Sequence, residues 1–130
     1  MQFAGPDELA MTARRRYRTV PTPSGLYRIH NLTTAERAAV ESYFINDDGT
    51  RDIEKWLKIK ARWIVESLVD GDGLRHFTMA DIDKVQSYDC QTTDLIVDAI
   101  YEHNGVSQAD REAMEKNYSE AGAEDFLRTA

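Results

Sequence analysis

The segment DIEKWLKIKARWIVESLV, Asp52 to Val69, constrains the fold more than any other stretch of the chain. Ile53, Trp56, Leu57, Ala61, Ile64 and Leu68 recur at intervals of three and four, and Ile59 and Trp63 widen the apolar stripe. That period belongs to a helix with one buried face, so the spacing predicts a central helix here. Two tryptophans at helical spacing supply large apolar area, and core packing is the first reading of both. Trp63 stands on the flank of the stripe and is the better placed of the two to reach a partner.

Other helices are marked by their ends. In TTAE, Thr33 can cap the first turn while Glu36 reaches back to it, which predicts a helix from about Thr34 to Phe44. Asn46, Asp47, Asp48 and Gly49 then favour a turn. The stretch LVDGDGLRHFT, Leu68 to Thr78, reads as a corner between helices: glycines end one, Thr78 caps the next with Asp81 at its third position, and Phe77 can staple onto Ile82. Asp89 or Thr92 can cap a further helix whose face is Leu95, Ile96, Ala99, Ile100 and His103 and whose end is Gly105. Ser107, with Asp110 after it, opens a last helix to about Tyr118, beyond which the pattern weakens.

Before Asn31 the punctuation is different. Gly5, Pro6, Pro21, Pro23 and Gly25 fall in the first thirty residues, so TVPTPSG cannot continue a helix, and Leu26 to His30 is expected as a short extended segment. The expected architecture is all-α: a compact bundle of about five helices over residues 31–130, preceded by an irregular, partly flexible arm over residues 1–30. A chain of 130 residues can bury roughly two-thirds of its unfolded surface without staples.

Charge is unevenly spread. The net charge is −7, yet Met1 to His30 carries five arginines against Asp7 and Glu8, whereas Asp70 to Ala130 carries fourteen acidic residues against five basic. A long acidic surface repels phosphate, which argues against nucleic acid as the ligand. The cluster Arg14, Arg15, Arg16 and Arg18 reads first as a solvated arm and second as a surface for an acidic partner, including the acidic half of another copy. No apolar run approaches the ~20 residues needed to cross a bilayer, and the first residues lack the apolar core of a secretory signal, so a cytoplasmic protein is expected.

Catalytic and metal signatures are weak. Against the calcium-loop template, aligning Gly73 as the turn glycine puts Leu68 first and Met79 last, and aligning Gly49 puts Phe44 first and Lys55 last, so the carboxylate ligands fail. His30, His76 and His103 are dispersed, which leaves zinc unsupported. Cys90 is the single cysteine and reads as a small buried thiol, with a Cys90–His103 nucleophile and base as a distant third reading. Neither a phosphate-binding glycine loop nor a nucleophile elbow is present, and neither an enzyme nor a cofactor is expected.

In order, NLTTAERAAVESYF, ESLVDGDGLRHFTMADIDKV and DAIYEHNGVSQADREAMEKNYSEAGAEDF resemble the tail assembly chaperones of long-tailed bacteriophages. The likeness spans about Asn31 to Asp125: an acidic turn with a downstream phenylalanine, here Asp70 to Phe77, leads into a capped acidic helix, and a later helix ends in an asparagine turn, here His103 to Gly105. The arginine-rich arm lies outside it. The resemblance implies a small helical, non-enzymatic protein of the infected host's cytoplasm, absent from the mature virion. Such a protein binds the tape measure protein in multiple copies, keeps it soluble, helps recruit tail tube subunits, and associates into an oligomer or spiral. Candidate contact residues are Arg14, Arg15, Arg16, Arg18, Trp63 and Tyr101, with copies meeting basic arm to acidic half. The alternative is a small acidic regulatory or adaptor module that binds a single folded protein.

Overall fold

The computed structural model describes residues 2–113 and is a mixed α/β domain, not the all-α bundle that the helical spacing suggests. Strands β1 (Tyr17–Thr22), β2 (Gly25–His30) and β3 (Leu68–Val69) form an antiparallel sheet in the order β1-β2-β3. Nearly half of the expected irregular arm, residues 17–30, is therefore a β-hairpin, and its second strand coincides with the extended segment expected at Leu26 to His30.

The physical reason lies in the hairpin's two prolines. Tyr17 faces His30 and Thr22 faces Gly25, and the Asn31 amide donates to the Arg16 carbonyl. Because hydrogen-bonded pairs alternate in an antiparallel ladder, the backbone of Tyr17, Thr19 and Pro21 points away from β2. Pro21 thus occupies an edge position where no amide is needed, and Pro23 lies in the two-residue turn, with the Thr22 hydroxyl donating to the Gly25 carbonyl at 2.9 Å.

The helices are α1 (Pro6–Ala10), α2 (Thr34–Glu41), α3 (Ile53–Trp56), α4 (Ile59–Ser67), α5 (Ile82–Gln86) and α6 (Cys90–His103), with 3-10 turns at Met11–Ala13 and Met79–Asp81. Residues 108–113 are also helical. The local end signals hold. The Thr33 hydroxyl accepts the Glu36 amide while the Glu36 carboxylate accepts the Thr33 amide, and Asp89 accepts the Thr92 amide. Gly105 at φ 68° follows the end of α6, and the Ser107 hydroxyl accepts the Asp110 amide. The expected end of that last helix at Tyr118, and the weakly patterned tail, lie outside the described residues.

The central segment is not one helix. Asp52 caps α3 by accepting the Lys55 amide, the backbone turns at Leu57 and Lys58, and α4 ends where Leu68 and Val69 become a strand paired with Ile29 and Arg28. The apolar run continues through that switch, which is why its periodicity conceals it. Val69 also bridges to Arg75 around a tight turn in which the Asp70 carboxylate accepts the amides of Asp72 and Leu74 and Gly73 adopts φ 82°. That φ disfavours any side chain, and a Cβ there would also lie 2.7 Å from the Tyr17 hydroxyl, so Tyr17 would have to move. LVDGDG therefore extends the sheet instead of simply joining two helices.

One core unites these elements. Val20 and Ile29 from the hairpin, Val40 from α2, Ala61, Trp63, Ile64 and Val65 from α4, Ile82 and Val85 from α5, and Ile96, Val97, Ala99 and Ile100 from α6 share a single buried cluster. Val97 is inside where the sequence pattern places Leu95 and His103, which are exposed and half-buried respectively. Helix α4 is buried from Ala61 to Ser67, because α2, α5 and α6 pack around it.

Candidate functional site

An ion-pair ladder of five side chains sets the framework. Arg15 binds Glu36 through both carboxylate oxygens, at 2.6 and 2.7 Å; Arg75 bridges Glu36 at 2.8 Å to Glu66; and Glu66 meets Arg62 at 2.7 Å. The Arg62 and Glu66 side chains are only 7% and 8% exposed. The Arg15 guanidinium, helped by the Thr33 amide, holds the Glu36 carboxyl down at about 2 despite its partial burial. His30 lies beside the ladder, and its Nε2 donates to the Glu66 carbonyl at 2.8 Å, since a carbonyl can only accept. Burial pushes the His30 pKa below the usual histidine value, with the Glu66 carbonyl bond opposing it.

This ladder answers where the arginine cluster goes. Arg15 is in it, Arg18 pairs with Glu102 at 2.8 Å, and the Arg16 carbonyl accepts from His103 while its side chain reaches the His103 carbonyl. Basic arm and acidic half do meet, within one chain. Arg14 is exposed.

Apart from this framework, a groove of about 670 Å³ is lined by Trp56, Leu57, Ile59, Lys60, Asp94, Val97, Asp98, Tyr101, Gln108 and Arg111, none of them a member of the ladder. Its apolar floor comes from Trp56 of α3, Leu57 in the turn after it, Ile59 of α4, and Val97 and Tyr101 of α6. Lys60 on α4 and Asp94 on α6 pair at 3.0 Å, and Arg111 stacks over the Tyr101 ring at 5.1 Å. A smaller hollow of about 380 Å³ adjoins it and shares Trp56 and Ile59. Its rim carries Arg37, Glu41 and Asp110. Such a surface can hold an apolar helix or strand and satisfy its polar flanks.

Of the sequence candidates, Tyr101 lines the groove, half-buried and edge-on to Trp63 at 5.3 Å. Trp63 does not reach outward: it is 1% exposed, because α4 is buried from Ala61 to Ser67, and its Nε1 has no acceptor among the described residues. Leu57, which the spacing places in the buried stripe, is instead exposed at the groove because α3 ends there, and Lys60, Asp94 and Arg111 are marked by no spacing. The row Asp94, Asp98, Glu102 at four-residue intervals along α6 is the one pattern that marks this side of the helix.

Cys90 is exposed at the first position of α6 and not a buried thiol, since the helix start faces water. His103 is the last residue of the same helix, which puts the two about 20 Å apart along the axis and rules them out as a dyad. Among the described residues no group of three or more His, Cys, Asp and Glu could hold a metal ion, and no helix is long and apolar enough to cross a membrane.

Comparison with family models, with curated proteins and with solved structures finds no match for this chain.

Proposed function

We propose that the protein is a tail assembly chaperone of a long-tailed bacteriophage, binding the tape measure protein in multiple copies, keeping it soluble and helping to recruit tail tube subunits. The single observation that carries the reading is the groove between α3, α4 and α6, whose apolar floor and charged rim suit an amphipathic helix. The order of segments from Asn31 onward, which resembles that family, supports the same conclusion. A chaperone of this kind needs an open apolar surface on a well-solvated body. The exposed Leu57 beside an acidic α6 supplies both.

Co-expression with the tape measure protein of the same genome tests the proposal. The expected result is a soluble tape measure protein that co-purifies with several copies of this chain, and loss of that complex in Leu57→Asp. Tape measure protein that stays insoluble and retains none of the chain would overturn it and favour an acidic adaptor with one folded partner.

A further inference from the structure

The two edges of the sheet are finished differently. Beyond β3 the chain turns back and Arg75 bridges Val69, so that edge has a backbone partner of its own. On the outer side of β1 no backbone group pairs among the described residues. The ladder to β2 runs through Arg18, Val20 and Thr22, which leaves the amides and carbonyls of Tyr17 and Thr19 and the Pro21 carbonyl pointing outward. All three residues are exposed, and Arg14, at φ −67° and ψ 138°, carries the extended backbone ahead of the strand. Pro21 blunts the far end of this edge because it has no amide. The near end, at Tyr17 and Thr19, has no such guard.

Charge singles out the strand that fits there. Residues 14–30 carry five arginines and neither aspartate nor glutamate, in a chain of net charge −7. The carboxylates that reach them, Glu36 and Glu102, are taken up by Arg15 and Arg18. Arg14 is exposed, Arg16 reaches only the His103 carbonyl at 3.4 Å, and Arg28 lies over the Tyr17 ring at 4.1 Å with its Nη1 on the Gly71 carbonyl. None of these three has a carboxylate partner among the described residues. In the neighbouring turn Asp70 is held by its own amides, which leaves Asp72 against three arginines. Side chains alternate along a strand, so Arg16 and Arg18 fall on one face and Tyr17 and Thr19 on the other. A second copy of β1 brings the same arginines and is repelled. A strand that alternates acidic with apolar residues meets arginine on one face and the Tyr17 ring on the other.

We infer that the outer edge of β1 receives an extended, acidic segment of another protein, which joins the three-stranded sheet by pairing its backbone with Tyr17 and Thr19. Pro21 fixes where the pairing stops. The arginines select the sign of the partner, and the Tyr17 ring selects an apolar residue beside it. This surface lies on β1, whereas the groove lies between α3, α4 and α6, so either can bind without the other.

A fluorescein-labelled peptide of Glu-Val repeats, titrated with the full-length chain, tests this by anisotropy and by hydrogen exchange of the backbone amides. In the free protein the Tyr17 and Thr19 amides should exchange rapidly while those of Arg18 and Val20 are protected, and saturating peptide should slow the first two by about tenfold or more. Binding should weaken by about threefold or more between about 50 and about 500 mM salt. Thr19→Pro, which removes an outward amide and no bond to β2, should abolish binding. Arg14→Glu with Arg16→Glu, which leaves the backbone edge intact, should weaken it by about tenfold. Equal binding of a Lys-Val peptide, binding that leaves both amides unprotected, or no binding at all would overturn the inference. So would protection of the two amides that rises with protein concentration alone, which assigns the edge to a second copy.

Discussion

Residues 2–13 and the stretch from Arg62 to Glu66 invert one another. The first leaves a phenylalanine, a leucine and a methionine in water; the second carries an arginine and a glutamate into the interior. Each departs from the usual sorting of residues by burial, for a different reason. Buried charge is tolerable when it is paired, and, although the Arg62 Nε finds no acceptor among the described residues, this ladder supplies the counter-ions from the arm root, α2, α4 and the turn after β3. It fixes how four distant segments meet. Exposed apolar side chains on a shaped arm have no such internal settlement and leave their partner to be found elsewhere.

The comparison can be broken most forcefully at Glu66. Glu66→Ala leaves Arg62 buried without its counter-ion and should cost about 4 kcal/mol of unfolding free energy, read by urea denaturation. Glu36→Gln should cost about 2 kcal/mol at neutral pH, because its partners Arg15 and Arg75 are partly solvated.

The same variant sharpens the acid response. Glu36 has its folded pKa depressed from 4.5 to about 2, so its contribution is fully present above pH 4.5 and is lost as pH falls toward 2. His30 is held neutral, so its contribution is complete above its ordinary value of 6.5 and declines as pH falls below that. Wild-type stability should therefore fall in two stages on acidification. Glu36→Gln should keep the first and flatten the second, and an unchanged acid limb would remove Glu36 from the account.

Replacing the buried pair together, as Arg62→Met with Glu66→Met, should cost only about 1 kcal/mol, because both desolvated charges leave at once and Arg75 keeps Glu36. At the other pole, Leu9→Ser and Met11→Ser should shift stability by no more than about 0.5 kcal/mol, read by the same urea denaturation. A large loss of stability there would mean that the arm packs on its own body.

What could be read from residues alone follows the same division between local and distant causes. Thr33, Asp89, Ser107 and Gly105 announce helix ends because a cap needs only its own neighbours, and the structure has them. The second strand was legible as the extended Leu26 to His30, but β1 and the pairing were missed because the prolines argue against strands until an edge position is known, and the buried apolar residues are only Val20 and Ile29. Arg62 and Glu66, four residues apart, look like a solvated pair in sequence; only the packing of α2, α5 and α6 around α4 turns them inward. That same covering hides Trp63. The groove, apart from Tyr101, depends on the break at Leu57, which the unbroken apolar period disguises.

The sheet also imposes an order on synthesis. Strands β1 and β2 are adjacent and can pair as soon as His30 leaves the ribosome, whereas β3 arrives nearly forty residues later and Arg75 later still. Until then the nascent hairpin has nothing to cover Val20 and Ile29, and Arg15 meets Glu36 without the rest of the ladder. Long-range closure of this sort slows folding relative to a helical bundle of the same length. The young chain thus carries an unshielded hairpin edge as well as an apolar arm, and for that interval it is itself a protein in need of protection from its neighbours.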